Sequence, residues 1–186
     1  MAGLAAVAAA RALGAEVRAF DTRSAAREQV ESLGATFLEV SVAEDGEGGG
    51  GYAKEMSKAF LDAEMALFRQ QADEVDVIIT IALVPGKRAP LLVPEDVVSR
   101  LRPGSVVADL AAEQGGTCAL TQPGRAVSYG DVTILGSPDL PSRMARTASQ
   151  LYGSNLCHLL DDMGKNEKYR VDENDEVVRG ALVLRE

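Results

Sequence analysis

Residues 3–23 have the sequence GLAAVAAARALGAEVRAFDTR, in which an alanine-rich stretch ends at Gly14 and a short segment then ends at Asp21. Alanine favours the helix and glycine commonly ends one, so Ala2–Leu13 is predicted as a helix. Glu16–Asp21 is predicted as the strand that follows it. A helix that leads directly into a strand is the unit from which helix-covered sheets are built.

The same alternation of helix and strand continues along the chain. Apolar residues recur at helical spacing within residues 55–72, which predicts a long helix. Val75–Leu83 is a continuous apolar run rich in β-branched residues, typical of a strand covered on both faces, and Ser105–Leu110 is a second buried strand. The other predicted elements are helices at 24–33 and 94–101 and strands at 36–40, 127–129 and 132–135. This order predicts an α/β fold with a doubly wound parallel sheet.

The pattern changes after residue 141. We therefore divide the chain into a sheet domain at 1–141 and a second unit at 142–186. In the second unit, Met144–Leu160 is predicted as a longer helix. Tyr169–Val171 and Val177–Leu184 are predicted as a terminal hairpin.

Composition excludes several classes of function. The chain has 186 residues with 28 acidic and 19 basic side chains, a net charge of −9, which argues against a nucleic-acid partner. A single histidine argues against a metal site and against a Ser-His-Asp triad, and we predict no metal. Cys118 and Cys157 are predicted as core thiols in a reducing compartment. No apolar run approaches the roughly 18–20 residues of a membrane span, so the chain itself is predicted to be soluble.

Asp21 is the residue that points most directly to a ligand. Ligands of doubly wound sheets bind at the carboxyl ends of the strands, and Asp21 ends the first predicted strand, followed by Thr22 and Arg23. A carboxylate there accepts hydrogen bonds from both ribose hydroxyls of an adenine nucleotide, which favours NAD over NADP. Arg23 argues the other way, because an arginine at this place can hold a 2′-phosphate. Gly3 fits the last glycine of a G-x-G-x-x-G fingerprint, or a glycine that only allows close helix packing.

Two further features have open interpretations. Five of the 18 glycines fall between Gly46 and Gly51, and Tyr52 follows them. This segment is a flexible linker, or a lid that carries one aromatic side chain over a nucleotide site. Glu64 lies on the apolar side of its predicted helix, either as a carboxylate that reaches water at the edge of the apolar stripe or as a polar contact to a ligand.

Other polar residues have simpler predicted roles. Asp109 ends a buried strand and Glu113 follows it, and both are expected to cap loop backbone rather than to act in catalysis. Ser142 is predicted as a helix N-cap. Lys87 and Arg88 are expected in a solvated turn. No catalytic residue is assigned.

Taken together, the segments resemble the NAD(H)-binding domain, domain I of the alpha subunit, of the proton-translocating NAD(P) transhydrogenases, in the alanine dehydrogenase/transhydrogenase family. The most specific match is Gly51-Tyr-Ala-Lys-Glu-Met56, and the resemblance extends to Arg179-Gly180 in the final predicted strand. The other matching stretches are Gly3–Ala6, Val17–Arg23, Glu28–Gly34, Ala82–Lys87, Gly104–Glu113 and Asp139–Arg143.

The resemblance implies a Rossmann-like domain that binds NAD and exchanges hydride with NADP(H) on a separate domain, coupled to proton movement through a membrane domain. It implies that the adenosine ribose is held at Asp21, Thr22 and Arg23. Gly51, Glu64 and Leu83 would complete the pocket, Tyr52 would be the aromatic residue of a mobile loop, and Gly3 would belong to the fingerprint. It also implies a homodimer, placed by its membrane domain on the cytoplasmic or matrix side of a bacterial or mitochondrial inner membrane.

The sequence departs from the family at three places. It begins inside the fingerprint, so we expect a truncated first strand, a fragment of a longer enzyme, and little activity from the isolated chain. Ile81 stands where a threonine is usual, and Ser137-Pro138 replaces a Tyr-Thr pair. Two alternatives stay open: a soluble amino-acid dehydrogenase of the alanine dehydrogenase type, and a non-catalytic NAD-binding fragment.

Overall fold

A computed structural model describes residues 2–48, 54–83, 88–164 and 169–183. The chain forms two compact units, Met1–Pro138 and Asp139–Glu186. The elements of the first unit are α1 (Ala2–Ala12), β1 (Arg18–Ala19), α2 (Ala26–Ser32), β2 (Thr36–Phe37), α3 (Lys58–Ala72), β3 (Val77–Thr80), α4 (Glu95–Val98), β4 (Val106–Asp109), β5 (Arg125–Tyr129) and β6 (Val132–Gly136). Those of the second are α5 (Leu140–Arg143), α6 (Ala145–Asp162) and α7 (Glu176–Ala181).

The first unit contains two sheets that are mainly parallel. β1 and β2 form a parallel pair, and the larger sheet has the strand order β3-β4-β6-β5. In the larger sheet β3, β4 and β6 are parallel, while β5 pairs with β6 in the antiparallel sense. The predicted α/β fold with a parallel sheet is confirmed, with two differences in detail: β1 and β2 form a separate pair, and β5 is antiparallel.

The main core lies between α4 and the larger sheet. Val98, Val107 and Ile134 are fully buried there, and Cys118 packs in the same cluster. Valine and isoleucine fill these positions because β-branched side chains pack well on a pleated surface. A smaller cluster of Val7, Val30 and Ala35 joins α1 to α2 and the start of β2. These two clusters fix the strands whose carboxyl ends carry the candidate site.

The prediction that β3 is covered on both faces is wrong. Val77 is 56% exposed and Ile79 is 43% exposed, whereas Thr80 is buried. Side chains of a strand point alternately to opposite faces, so no described element covers the face that carries Val77 and Ile79. The β-branched run identified the strand, but the number of layers packed on it depends on tertiary structure.

The predicted terminal hairpin is also wrong, because residues 176–181 form α7. The Asp175 carboxylate accepts hydrogen bonds from the backbone N–H groups of Val177 and Val178, which caps the first turn of this helix. The adjacent valines suggested a strand, but this local cap favours the helix. Arg179 and Gly180 consequently lie in a helix and not in a strand.

Two predictions about single residues in the second unit are corrected as well. Cys157 is exposed on α6, so of the two cysteines only Cys118 is a core thiol. Ser142 lies inside α5, and Asp139 occupies the N-cap position with a left-handed φ of 53°. Within the residues that the structure describes, no helix is both long and apolar enough to span a membrane.

Candidate nucleotide site

The amino end of α1 lies beside the carboxyl end of β3. A Cβ placed on Gly3, at the start of α1, would lie 3.9 Å from the Ile81 side chain, which directly follows β3. Leu83 is two residues further along and is exposed. Asp21 follows β1 in the same way. The amino end of α1 therefore faces the end of a strand, the arrangement in which such sheets bind nucleotides.

Aromatic packing brings α3 to the end of β1. The Phe20 ring lies 5.3 Å from the Phe68 ring in an edge-to-face arrangement and 6.4 Å from the Phe60 ring. Phe60 and Phe68 are one helical turn before and after Glu64, so the face of α3 that carries Glu64 packs beside the residue preceding Asp21. The structure thus places Glu64 on the helix face that adjoins the end of β1.

Asp21 and Arg23 form a bidentate ion pair. The backbone N–H and the side-chain Nε of Arg23 both donate to Asp21 Oδ1, at 2.9 Å each, and Arg23 Nη2 donates to Oδ2 at 2.8 Å. Both side chains are half-buried. This bidentate geometry fixes the carboxylate plane and leaves Oδ2 with fewer donors than Oδ1.

The charge of Asp21 is maintained by this pair. Burial raises the pKa of Asp21, but hydrogen bonds and the positive charge from Arg23 outweigh it and hold the pKa below its ordinary value. The same contact raises the pKa of Arg23. Asp21 is therefore a hydrogen-bond acceptor at neutral pH, as recognition of ribose hydroxyls requires.

Thr22 is in contact with the start of the glycine-rich segment. The Gly46 N–H donates to the Thr22 carbonyl at 2.8 Å, and the Gly46 carbonyl accepts from the Lys54 N–H at 2.9 Å. A Cβ on Gly46 would lie 2.6 Å from the Thr22 side chain, so this close approach requires glycine. Two of the predicted site residues, Gly51 and Tyr52, lie outside the described residues.

Glu64 is a buried acid on α3. Only 4% of its surface is exposed, and among the described residues it has no hydrogen-bond or ion-pair partner. Burial alone raises its pKa above the ordinary value. Both sequence-based interpretations remain compatible with this burial, because the Glu64 carboxylate oxygens are not among the fully buried side-chain atoms that lack a hydrogen-bond partner. A buried carboxyl group without a partner is costly to the fold, which favours a role toward a ligand.

This burial predicts a specific effect of replacing Glu64. A carboxyl group with a raised pKa binds its proton more tightly in the folded state, so it stabilises the protein at low pH, and this contribution is lost as pH rises through the folded pKa. Glu64→Gln removes the ionisation and should raise the free energy of unfolding by about 1 kcal/mol above that pKa. Urea unfolding over a range of pH measures the change.

The control for this experiment is Asp62→Asn on the same helix, because Asp62 is exposed. It should keep the pH dependence of the unmutated protein. Identical pH profiles for Glu64→Gln and the unmutated protein would show that Glu64 is solvated.

Asp109 organises the loop after β4. It is fully buried and accepts hydrogen bonds from the backbone N–H groups of Ala111, Thr117 and Cys118 at 3.0, 2.8 and 3.1 Å. Thr121 Oγ1 donates to it at 2.6 Å. The prediction that Asp109 caps loop backbone is therefore confirmed.

The same carboxylate connects two strand ends. Thr117 Oγ1 lies 3.0 Å from Asp109 Oδ1 and 2.5 Å from Thr80 Oγ1, and Thr80 ends β3. Burial raises the pKa of Asp109, but the hydrogen bonds from the Thr121 hydroxyl and from the three backbone N–H groups outweigh it and lower the pKa overall. The sequence did not indicate the three threonines, because their connection depends on loops that bring distant residues together.

The described part of the chain contains no candidate metal site. Residues 2–48, 54–83, 88–164 and 169–183 contain no group of three or more His, Cys, Asp or Glu side chains that could hold an ion. The candidate site consists of the paired carboxylate of Asp21 after β1, the buried Glu64 on the adjoining face of α3, and the α1 amino end.

Comparison with known proteins finds relatives over the whole chain. The family model for the alanine dehydrogenase/PNT C-terminal domain matches residues 1–186. The NAD(P) transhydrogenase subunit alpha of Haemophilus influenzae is 48% identical over 189 residues, which cover 100% of this chain and 37% of that subunit. The crystal structure of transhydrogenase from Sinorhizobium meliloti matches with a TM-score of 0.74 and 38% identity, covering 96% of this chain and 46% of that one.

An L-alanine dehydrogenase structure is similar at a lower level. It matches with a TM-score of 0.60 and 29% identity, covering 84% of this chain and 40% of that one. The chain thus spans less than half the length of each of these three proteins. The match of the family model to the whole sequence, together with the 48% identity, shows that the chain belongs to the alanine dehydrogenase/PNT C-terminal domain family.

Proposed function

We propose that this chain is the NAD(H)-binding part of a proton-translocating NAD(P)⁺ transhydrogenase, which exchanges hydride between NAD(H) and NADP(H). The observation that carries the proposal is the Asp21–Arg23 pair after β1, in a chain whose whole length aligns with a transhydrogenase alpha subunit. An ionised carboxylate at this position suits an unmodified ribose and repels a 2′-phosphate.

The residues present fit NAD at its adenosine end. Asp21 is half-buried and ionised, with Oδ2 accepting fewer hydrogen bonds than Oδ1. Glu64 is a buried acid without a partner among the described residues, as expected of a group that meets a polar ligand. We assign Asp21, Thr22, Arg23, Glu64 and the exposed Leu83 to this site, with Gly3 at the α1 amino end and with Gly51 and Tyr52 from the glycine-rich segment.

The nicotinamide and the side chains of this chain have different roles in the proposed reaction. When bound, the nicotinamide supplies the hydride chemistry. The residues of this chain bind and orient the nucleotide. Asp21 fixes the ribose. The Asp109 network, which is the set of hydrogen bonds among Asp109, Thr80, Thr117 and Thr121, holds the end of β3 beside the end of β4. No side chain of this chain is assigned a proton transfer, because the exchange of a hydride between two nicotinamides requires none from the protein.

The proposal includes partners that this chain does not itself contain. Because the chain spans 37% of the Haemophilus influenzae subunit, the NADP(H)-binding domain and the membrane domain are proposed as other parts of the same enzyme. We also propose a homodimer, held by its membrane domain at the cytoplasmic or matrix face of a bacterial or mitochondrial inner membrane. The lower similarity to L-alanine dehydrogenase places an amino-acid dehydrogenase second.

A two-substrate assay on the full-length protein that carries this chain separates these functions. The proposal predicts reduction of an NADP⁺ analogue by NADH, and no oxidation of NADH that depends on pyruvate and ammonium. The opposite result would assign the protein to the amino-acid dehydrogenases. Nucleotide binding with neither activity would assign it to the non-catalytic NAD-binding proteins.

A further inference from the structure

Asp45 links the beginning of the glycine-rich segment to the turn after Asp21. Its Oδ1 accepts from the Ser24 N–H at 3.2 Å, and its Oδ2 accepts from the Ser24 hydroxyl at 3.1 Å. Oδ1 also accepts from the Glu47 N–H at 3.2 Å, which closes an Asx turn around Gly46. One exposed side chain thus connects two segments that are 21 residues apart.

Gly46 completes this connection through the backbone. It is buried, its N–H donates to the Thr22 carbonyl, and its carbonyl accepts from Lys54. We call Asp45, Gly46 and Lys54 the neck, because they close the base of the segment between them. The neck contacts residues 22 and 24, on either side of Arg23.

The two peptide groups that flank Arg23 are therefore both held by the neck. The first contains the Thr22 carbonyl, bonded to Gly46, and the Arg23 N–H, bonded to Asp21 Oδ1. The second contains the Ser24 N–H, bonded to Asp45. Since a peptide group is planar, fixing one polar atom fixes the direction of the other. The neck thus sets the direction of the Arg23 N–H and, through it, of the Asp21 carboxylate.

We propose that Asp45 and Gly46 are positioning residues for nucleotide binding, which hold the turn at residues 22–24 so that Asp21 presents its carboxylate to the ribose. This inference rests on the proposed function. Asp45 acts as an ionised acceptor, because the backbone hydrogen bond from Ser24 keeps its pKa below the ordinary value despite slight desolvation. The sequence offered only one signal for this role, the Asp-Gly pair typical of a turn.

Nucleotide titrations of the full-length protein test this inference. Asp45→Ala should raise the dissociation constant for NADH by about five- to tenfold, the effect of losing hydrogen bonds that preorganise the site. The KM for NADH should rise by the same factor, while kcat at saturating NADH stays within about twofold, since the bound nucleotide restores the geometry. Asp45→Asn keeps Oδ1 as an acceptor and should restore the affinity to within about twofold.

Two further variants should weaken NADH binding to different extents. Ser24→Ala removes only the hydroxyl bond, so it should weaken binding less than Asp45→Ala does. Gly46→Ala forces the neck away from Thr22 and should weaken binding at least as much as Asp45→Ala. The control is Asp62→Ala, which removes an exposed acid on α3 and should bind NADH as the unmutated protein does.

The outcomes distinguish this inference from the proposed function. An unmutated protein that does not bind NADH would overturn the proposed function. Weak NADH binding by Asp21→Ala together with unchanged binding by Asp45→Ala would overturn only the inference. An Asp45→Asn variant as weak as Asp45→Ala, or an equal loss of kcat, would also overturn it, because acceptor geometry would then not be what Asp45 supplies.

Discussion

Asp109→Ala is expected to remove at least about 3 kcal/mol of the free energy of unfolding. The change leaves three backbone N–H groups without an acceptor, and each such loss costs about 1–3 kcal/mol when the group is buried. Because a domain is stabilised by about 5–15 kcal/mol in total, this is a large fraction of its stability. Urea unfolding measures the loss.

If the alanine variant fails to fold, Asp109→Asn provides the measurement. The amide keeps one oxygen as an acceptor, so its loss should be smaller but still measurable. Asp62→Ala on the exposed face of α3 serves as the control and should change the free energy of unfolding by less than about 0.5 kcal/mol. If Asp109→Ala unfolded at the same urea concentration as the unmutated protein, the Asp109 network would not stabilise the fold.

Asp21→Ala is expected to weaken NADH binding by about 1–3 kcal/mol, or roughly 5- to 150-fold. The variant loses the acceptor for the ribose hydroxyls. It also removes the carboxylate paired with Arg23 and the negative charge that repels a 2′-phosphate. NADPH should therefore bind more tightly to the variant than to the unmutated protein.

Calorimetric titration with NADH and with NADPH measures both changes in affinity. Asp21→Asn is the matched variant, because it keeps one acceptor oxygen and removes only the charge. It should lose less affinity for NADH than Asp21→Ala does. Equal weakening of NADH and NADPH by Asp21→Ala would show that the residue stabilises the turn without selecting the nucleotide.

The order of elements could be predicted because local chemistry determines it. Alanine and the following glycine define α1, and its observed bounds, Ala2–Ala12, differ from the prediction by one residue. The first four strands were predicted too long, with β1 covering only Arg18–Ala19, whereas β5 and β6 extend beyond their predicted bounds. A strand requires a neighbour at each residue, and β1 pairs only with the two residues of β2. Local sequence does not specify how far such pairing extends.

In the candidate site, too, local features could be predicted from the sequence and long-range contacts could not. Asp21 was predicted because its position at a strand end is a local feature, and the apolar periodicity of α3 identified Glu64 as an exception. The contacts that hold the loop around Asp109 join distant parts of the chain, as with Thr80 and Thr117, which are 37 residues apart. The role of Asp45 likewise depends on a turn 21 residues away. Such contacts depend on how the sheet brings its loops together, which single-sequence patterns do not encode.

Under the proposed function, this chain binds NAD(H) through the ionised carboxylate of Asp21 and rejects the 2′-phosphate of NADP(H). The most direct test is a titration of the unmutated full-length protein with NADH and with NADPH, under conditions that block binding at the proposed separate NADP(H) domain. NADH is predicted to bind at least about tenfold more tightly at the site of this chain, because a 2′-phosphate replaces the ribose hydroxyl that donates to Asp21, and losing a hydrogen bond to a charged group costs about 1.5–3 kcal/mol. Equal affinities for the two nucleotides at this site would contradict the account.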